Sequence, residues 1–306
     1  MKLTSYEGIL AVNKPAGFTS HDVVAKTRGI LKMKRIGHTG TLDPAVTGVL
    51  PLCLGRATRM VEYLQELPKQ YEATLLLGIA TDTEDMSGTV IERKAGLCVS
   101  EQEVRAVLEQ FIGTISQVPP MYSALKQDGK RLYELAREGK VVERKAREVT
   151  IEELELLSYQ PEGEHPSVSF RVLCSKGTYI RTLCVDIGRA LGVPAAMAEL
   201  KRTFSAGIHE AQCLTLEEIA AHAEQGTLEA HLIPVDQAVS HMPAHRIPES
   251  HVKQALQGQK ISSGLVEPPV TWGENIRLYS SEKFLGIFRS EETTRSIIPV
   301  KVFLPE

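Results

Sequence analysis

Gly37-His38-Thr39-Gly40-Thr41-Leu42-Asp43-Pro44-Ala45-Val46-Thr47-Gly48-Val49-Leu50-Pro51 carries more information than any other stretch of this 306-residue chain. Glycines on both sides of Asp43 allow tight, non-standard backbone there. Between Lys14 and Met60 eight basic residues face only two acids, Asp22 and Asp43. A carboxylate seated among cations is held as the anion, the form a carboxylate nucleophile requires. An isolated Asp-Pro pair is ordinarily a turn or cap, so the dipeptide alone decides nothing.

Outward from this stretch, the texture is that of a folded globule. Apolar residues make up 42% and charged residues 24% of the chain, which argues against disordered, collagenous or repeat proteins. The length leaves room for one large domain and a small one. Apolar runs such as Ala73–Ala80 fall far short of the roughly 20 residues of a membrane span. With one lysine (Lys2) and only Ile9–Val12 as a greasy patch, the N-terminus is too short on apolar residues for a signal peptide. The five cysteines form no C-x-x-C pair or zinc spacing, which points to reduced thiols in a cytoplasm.

The net charge is −3, yet basic residues are concentrated. A second tract, Lys126 to Arg147, includes Lys126, Lys130, Arg131, Arg137 and Arg144, diluted by acids from Asp128 to Glu143. Such tracts on an acidic protein fit a polyanion-binding face, although charge runs are commonly solvated helix surface.

Residues Gly8 to Asn13 read as a short buried strand. Ser20 then caps a helix whose apolar stripe is Val23, Val24, Thr27 and Leu31. Ile36 to Arg59 is a structured loop leading into a strand, and Lys69 to Ile79 a strand followed by a polar turn from Thr81 to Gly88. Ser100 with Glu103, and Thr215 with Glu218, are capping boxes. Ser123 to Arg147 is an excursion from the core with a short helix, Arg131 to Glu138, stopped by Gly139. Ser167 to Ser175 alternates like a strand, and Thr178 to Leu191 reads as a helix. After about Ser240, prolines punctuate short β-rich runs at Ile276–Tyr279, Phe284–Phe288 and Ile297–Phe303.

There is no phosphate-cradling glycine loop and no dinucleotide fingerprint. His209-Glu210 opens like a zinc-protease helix, but Cys213 stands where the second histidine belongs. These absences favour metal-free chemistry.

The fifteen-residue stretch around Asp43 closely resembles the catalytic loop of the TruB family of tRNA pseudouridine synthases, and the likeness extends over most of the chain. Gly8–Ser20, with Lys14-Pro15-Ala16-Gly17-Phe18-Thr19-Ser20, is similar to the family's first strand and turn. Lys69–Ala73 with Gly78 and Thr81–Asp85 resembles its second motif. Gln117–Lys126 resembles the start of its RNA-binding insertion, and Cys174–Leu183 its third motif. Only the C-terminal β region is weakly similar, resembling a PUA-type domain from near His245, most suggestively at Ala255–Gln259.

The resemblance implies an α+β fold: a central mixed or antiparallel sheet flanked by helices, and a small β-rich PUA-like C-terminal domain. It implies a catalytic domain over residues 1–240, with an insertion at about 123–150, and a PUA-like domain over 245–306. Asp43 is implied as nucleophile and Tyr71 as the residue stacking on a flipped uridine. Arg181 would pair with the catalytic carboxylate. Tyr179 is implied as another pocket residue, His38 as a tRNA contact and Leu200 as a backbone contact to the base. If Tyr179 and Arg181 lie on extended chain they share a face; if they lie in the helix they diverge. Lys14, Lys126, Lys130 and Arg131 are the expected RNA contacts. Asp82 and Asp85 resemble a loop-fixing element rather than a metal pair.

The implied reaction is an isomerisation of uridine 55 in the tRNA T loop. The N1–C1′ bond breaks, the uracil turns, and C5 bonds to C1′, without cofactor or metal. The expected partner is the tRNA T arm, with no guide RNA, protein partner or membrane, and the chain working as a cytoplasmic monomer. A pure RNA-binding module has no reason to seat Asp43 in its most basic region. A glycosidic hydrolase needs a second acid, which no matched segment supplies. The guide-RNA-dependent relatives usually carry longer basic termini, whereas this chain closes on Val302-Phe303-Leu304-Pro305-Glu306.

Overall fold

Strict alternation builds the strand at the middle of the main sheet. In Lys69–Leu77, residues 69, 71, 73, 75 and 77 are buried and those between are half-exposed, the period-two signature of a pleated strand. Lys69 and Tyr71 therefore share the inward face. The computed structural model describes residues 5–127 and 129–303; Lys2, Asp128 and Leu304-Pro305-Glu306 lie outside them.

In chain order, β1 (Gly8–Lys14) leads through α1 (Ser20–Leu31) to β2 (Ile36–His38) and β3 (Thr47–Leu54). A 3-10 segment (Gly55–Met60) and α2 (Val61–Leu64) precede β4 (Lys69–Leu77). A small ribbon, β5 (Ile79–Thr81) and β6 (Val90–Arg93), is followed by α3 (Glu101–Gln110) and β7 (Gly113–Gln117). The insertion holds β8 (Lys126–Gln127), β9 (Lys130–Arg131) and α4 (Leu132–Arg137). Then come β10 (Arg147–Gln160), β11 (Ser167–Cys174), α5 (Ile180–Ala190), β12 (Ala195–Ser205) and β13 (Ile208–His209). Next are α6 (Leu216–Gln225), β14 (Leu232–Ile233) and α7 (Val235–Ala238). The C-terminal part comprises β15 (Ala244–Arg246), α8 (Val252–Leu256), β16 (Ile261–Ser262), β17 (Asn275–Ser280), β18 (Lys283–Glu291) and β19 (Ser296–Val302).

The main sheet runs β14-β1-β3-β12-β4-β11-β10-β7, with β2 on β3 and β13 on β12. Only the β12–β3 pair is parallel, so the sheet is mixed. A second sheet, β15-β17-β18-β19-β16, forms the β-rich C-terminal part. One core packs α3 and α5 on the sheet, bringing Val104, Leu108, Leu183 and Ile187 against Phe170 and Val172. Another sets α1 and α6 against β1 and β3 through Val23, Val24 and Ile219. A third joins Ala57, Met60 and Leu64 to Ile287 and Phe303 of the C-terminal sheet. Among the described residues no helix is long and apolar enough to cross a membrane.

Several boundaries differ from the sequence reading, and three of them bear on the site. Thr19, not Ser20, caps α1: its side chain accepts from the Asp22 amide at 3.0 Å while the Asp22 carboxylate accepts from the Thr19 amide at 2.8 Å. Ser20 is the first helical residue and its hydroxyl turns inward. Gly78, at φ +85°, ends β4 and separates it from β5. The third helix of the reading starts at Ile180, because Tyr179 is extended at φ −100°, ψ 108°.

Where β3 crosses β12, Gly48 sits at φ +102° and a Cβ there would collide with the Arg202 carbonyl oxygen. Only glycine lets the two backbones meet in that register, in which Gly48 stands beside Arg202 and Tyr71 stands opposite it.

Candidate active site

The β2–β3 connection carries Asp43 and is fastened on both sides of it. The Ser20 hydroxyl accepts from the Leu42 amide at 2.8 Å and donates to the Leu42 carbonyl at 3.3 Å. The Gly17 amide and the Lys14 ammonium both donate to the Pro44 carbonyl, at 2.9 and 3.1 Å. From below, Arg202 donates to the carbonyls of Gly40 (3.3 Å) and Val49 (2.7 Å). The aspartate itself stays open, its side chain 44% exposed. A rigid loop thus presents one accessible carboxylate.

Arg181 meets that carboxylate. Its Nη2 lies 3.0 Å from Asp43 Oδ2, and the arginine is only 7% exposed. The same guanidinium donates to the carbonyls of Tyr122 (2.8 Å) and Thr83 (3.1 Å). Its Nε is 3.9 Å from Asp85 Oδ2. Asp85 accepts from the Thr83 hydroxyl at 2.8 Å and the Ser87 amide at 2.9 Å, and Asp82 accepts from the Thr89 amide at 2.7 Å. These two acids brace their own turn, which in turn positions Arg181.

Tyr179 precedes α5 and its backbone is clasped by the Gln117 side-chain amide, donating at 3.0 Å and accepting at 2.8 Å. Burial raises the Tyr179 phenol above its ordinary pKa, partly offset by the nearby Arg147 and Arg181 charges. Extended Tyr179 and helical Arg181 both act electrostatically with Asp43. The strand-to-helix switch between them brings both to one place.

Tyr71 is 8% exposed and lies opposite Arg202 on the neighbouring strand. Burial pushes the Tyr71 phenol up, and Arg202 opposes that shift. Burial lowers the Lys69 ammonium to about 8, with Arg202 adding to the effect. Lys69 donates to the carbonyls of Gln65 and Leu67. Burial also lowers Lys14 to about 8, while Asp43 pulls the other way. His38 is half-buried and shifted down by desolvation and Arg202. Its Nδ1 accepts from the Gly40 amide at 3.3 Å, as a neutral imidazole can. Three buried cations, Lys14, Lys69 and Arg202, therefore lie under Asp43 and Tyr71 with backbone carbonyls as their partners. Among the described residues none has a carboxylate within 4.0 Å.

Asp43, Arg181, Tyr179, Tyr71 and His38 thus converge on one neighbourhood. Leu200 lies on β12, half-buried opposite Ala73. Lys14 must be corrected as an RNA contact: it has no exposed surface and its ammonium is engaged by Pro15 and Pro44 carbonyls. Lys126, Lys130 and Arg131 are exposed on the insertion. Lys130 pairs with Glu138 at 2.9 Å, and Arg131 donates to the Tyr133 hydroxyl at 3.1 Å. Sequence reasoning overlooked Gln117, Lys69 and Arg202. Lys69 alone had a usable signal, as a charged residue on the apolar phase of an alternating strand. Among the described residues no three of His, Cys, Asp and Glu are grouped to hold a metal ion.

A half-exposed carboxylate is thus held by a buried arginine on this mixed sheet, and comparison with known proteins gives the class of the chain. Residues 28–180 match the model of the TruB family pseudouridylate synthase N-terminal domain, and 181–240 that of the tRNA pseudouridylate synthase B C-terminal domain. A tRNA pseudouridine synthase B of Geobacillus thermodenitrificans (strain NG80-2) is 50% identical over 255 residues, covering 82% of this chain and 84% of that protein. Its counterpart in Bacillus subtilis (strain 168) is 43% identical over 301 residues, 97% of each chain. Among solved structures, a Cbf5–Nop10–Gar1 complex matches with a TM-score of 0.76 at 29% identity, covering 97% of this chain and 85% of that one. The chain belongs to the TruB family of pseudouridylate synthases, and it is a pseudouridine-forming isomerase.

Proposed function

We propose that this chain converts uridine 55 in the T loop of tRNA to pseudouridine, with Asp43 as the nucleophile. The observation that carries this reading is the 3.0 Å pair between buried Arg181 and half-exposed Asp43. The guanidinium aims the carboxylate while leaving it accessible, and the loop is fastened on both sides. The target uridine leaves its stack and rests against Tyr71, with Tyr179 and the Leu200 backbone completing the pocket and His38 near the RNA.

Heterolysis of the N1–C1′ bond leaves the electron pair on the uracil. Asp43 holds the detached state, through uracil C6 or through the ribose C1′–C2′ unit, and either route begins with the same carboxylate. The base then turns, C5 bonds to C1′ as the link to Asp43 breaks and frees the carboxylate, the C5 proton leaves to solvent relayed by the Tyr71 hydroxyl, and N1 takes up a proton. The buried cations under the site favour negative charge on the detached base.

The solved neighbours include Cbf5 in complexes with protein partners. Alignment over 97% of each chain with the Bacillus subtilis protein, named a tRNA pseudouridine synthase, supports tRNA as the substrate, and we read the chain as a stand-alone monomer. Its unpaired cysteines fit a cytoplasmic setting. We further assign residues 1–240 to the catalytic domain and 245–306 to a PUA-like RNA-binding domain. The test is incubation of the purified protein alone with a T-arm hairpin tritiated at uracil C5. Tritium release is expected; a hairpin that is bound but never releases label leaves only a binding module.

A further inference from the structure

Arg202 is 1% exposed, among the largest fully buried side chains of the molecule, and has no acid partner among the described residues. A buried cation without a counter-charge is costly and a poor stability device. Its donors instead go to two carbonyls of the site. Nε reaches the Val49 carbonyl beyond Asp43 and Nη2 reaches the Gly40 carbonyl before it, while the residue itself is paired across the sheet with buried Tyr71. Its backbone is fixed between β3 and β4, beside Gly48 and opposite Tyr71.

We propose that Arg202 is a positioning residue that holds Tyr71, its cross-strand neighbour, and the Asp43 loop in one fixed arrangement and acts on the reaction through Tyr71. The proposal rests on the reading that the Tyr71 hydroxyl serves the chemistry. The planar fork explains the residue type: a guanidinium donates in several directions at once from one fixed plane, whereas an ammonium is a point charge on a flexible stem. Neighbouring Lys14 and Lys69 add positive charge, each donating to backbone carbonyls. Arg202 both faces Tyr71 across the sheet and is bonded to the loop on either side of Asp43.

The test is a double-mutant cycle on single-turnover tritium release at saturating T-arm hairpin, with Kd and thermal unfolding measured for each protein. Tyr71→Phe and Arg202→Met are each expected to slow release by about 10²-fold or more, with Kd within a few-fold of the parent. Coupling predicts that the double variant stays within about tenfold of the slower single variant, where independent effects would multiply to about 10⁴-fold. Arg202→Lys, which keeps a cation, should recover about tenfold of the loss seen with Arg202→Met. Multiplicative losses, or full-rate Arg202→Met, overturn the proposal. If Arg202→Met does not fold, the cycle with Arg202→Lys decides by the same criterion. A full-rate Tyr71→Phe variant removes the hydroxyl from the mechanism and the proposal with it. Slow Tyr71→Phe without coupling removes only Arg202.

Discussion

Arg181 Nη2 lies 3.0 Å from Asp43 Oδ2 and 2.8 Å from the Tyr122 carbonyl, so one buried guanidinium ties the β2–β3 loop to the segment entering the insertion. The carboxylate is oriented by a group that is itself immobilised. Its other face remains open to substrate.

Replacing Asp43 by Asn keeps the shape of the side chain and removes the anionic oxygen proposed as nucleophile. Turnover is expected to fall at least ~10³-fold while T-arm binding survives. The check is tritium release under single-turnover conditions beside a Kd measurement. Substantial residual turnover removes Asp43 from its role.

Arg181→Met strands the carbonyls of Thr83 and Tyr122 and frees Asp43 to turn. The expected cost is about 1–3 kcal/mol of stability from the unpaired buried groups, with a loss of about 10²-fold in rate. Urea unfolding and single-turnover rates test the two effects separately. A stable variant with full activity would show that the pair is incidental.

Much of this arrangement was legible in the chain, for identifiable reasons. The alternation in Lys69–Leu77 and Ser167–Cys174, and the capping boxes at Ser100 and Thr215, are local signals, and the structure follows them. β12 was not legible. Ala195-Ala196-Met197-Ala198-Glu199-Leu200 is made of helix formers, and it is a strand because β4 pairs along it, with β3 joining only at Lys201 and Arg202. Arg202 was hidden with it, since a basic residue beside Lys201 reads as solvated surface. Lys14 was misread for the same reason: its type suggests solvent, but the fold closes over it. The Tyr179–Arg181 relation depends on where the helix begins, and Tyr179 is held extended by distant Gln117.

Stability should rise and then fall between about pH 8 and 11. Burial lowers Lys14 and Lys69 to about 8, against 10.5 for ordinary lysine. Above 8 the unfolded chain therefore binds more protons, and stability climbs by at most ~1.4 kcal/mol per pH unit for each lysine. Buried thiols act oppositely: burial raises Cys53 and Cys213 to about 12, Cys174 to about 11, and Cys184 further. Above the ordinary value of 9 the unfolded chain sheds protons that the folded chain keeps, and stability falls. Urea midpoints at half-unit steps should peak near pH 9, and Lys69→Met should flatten the rising limb. A monotonic decline from pH 7.5 would exclude neutralisation of the lysines.

The insertion separates binding from chemistry, and Glu138 gives the sharpest test of it. Lys130 and Lys140 both pair with this exposed acid, at 2.9 and 2.8 Å, and together they hold its carboxyl down at about 2. Lys130, expected to meet phosphate, and its neighbour Lys140 are thus partly engaged by one acid on their own surface. Lys130→Ala with Arg131→Ala should weaken tRNA affinity and flatten its salt dependence by about one unit of slope per lost phosphate contact. Single-turnover chemistry at saturation should not change, because neither residue lies near Asp43 in the pairs described above. Glu138→Gln should do the reverse, freeing both lysines, tightening binding at low salt and steepening the slope. Kd against salt and single-turnover rates for both variants supply the measurement. Loss of chemistry at unchanged affinity in the Lys130/Arg131 double variant would move these residues into the active site. Weaker binding by Glu138→Gln would show that the acid orders the insertion for RNA instead of competing with it.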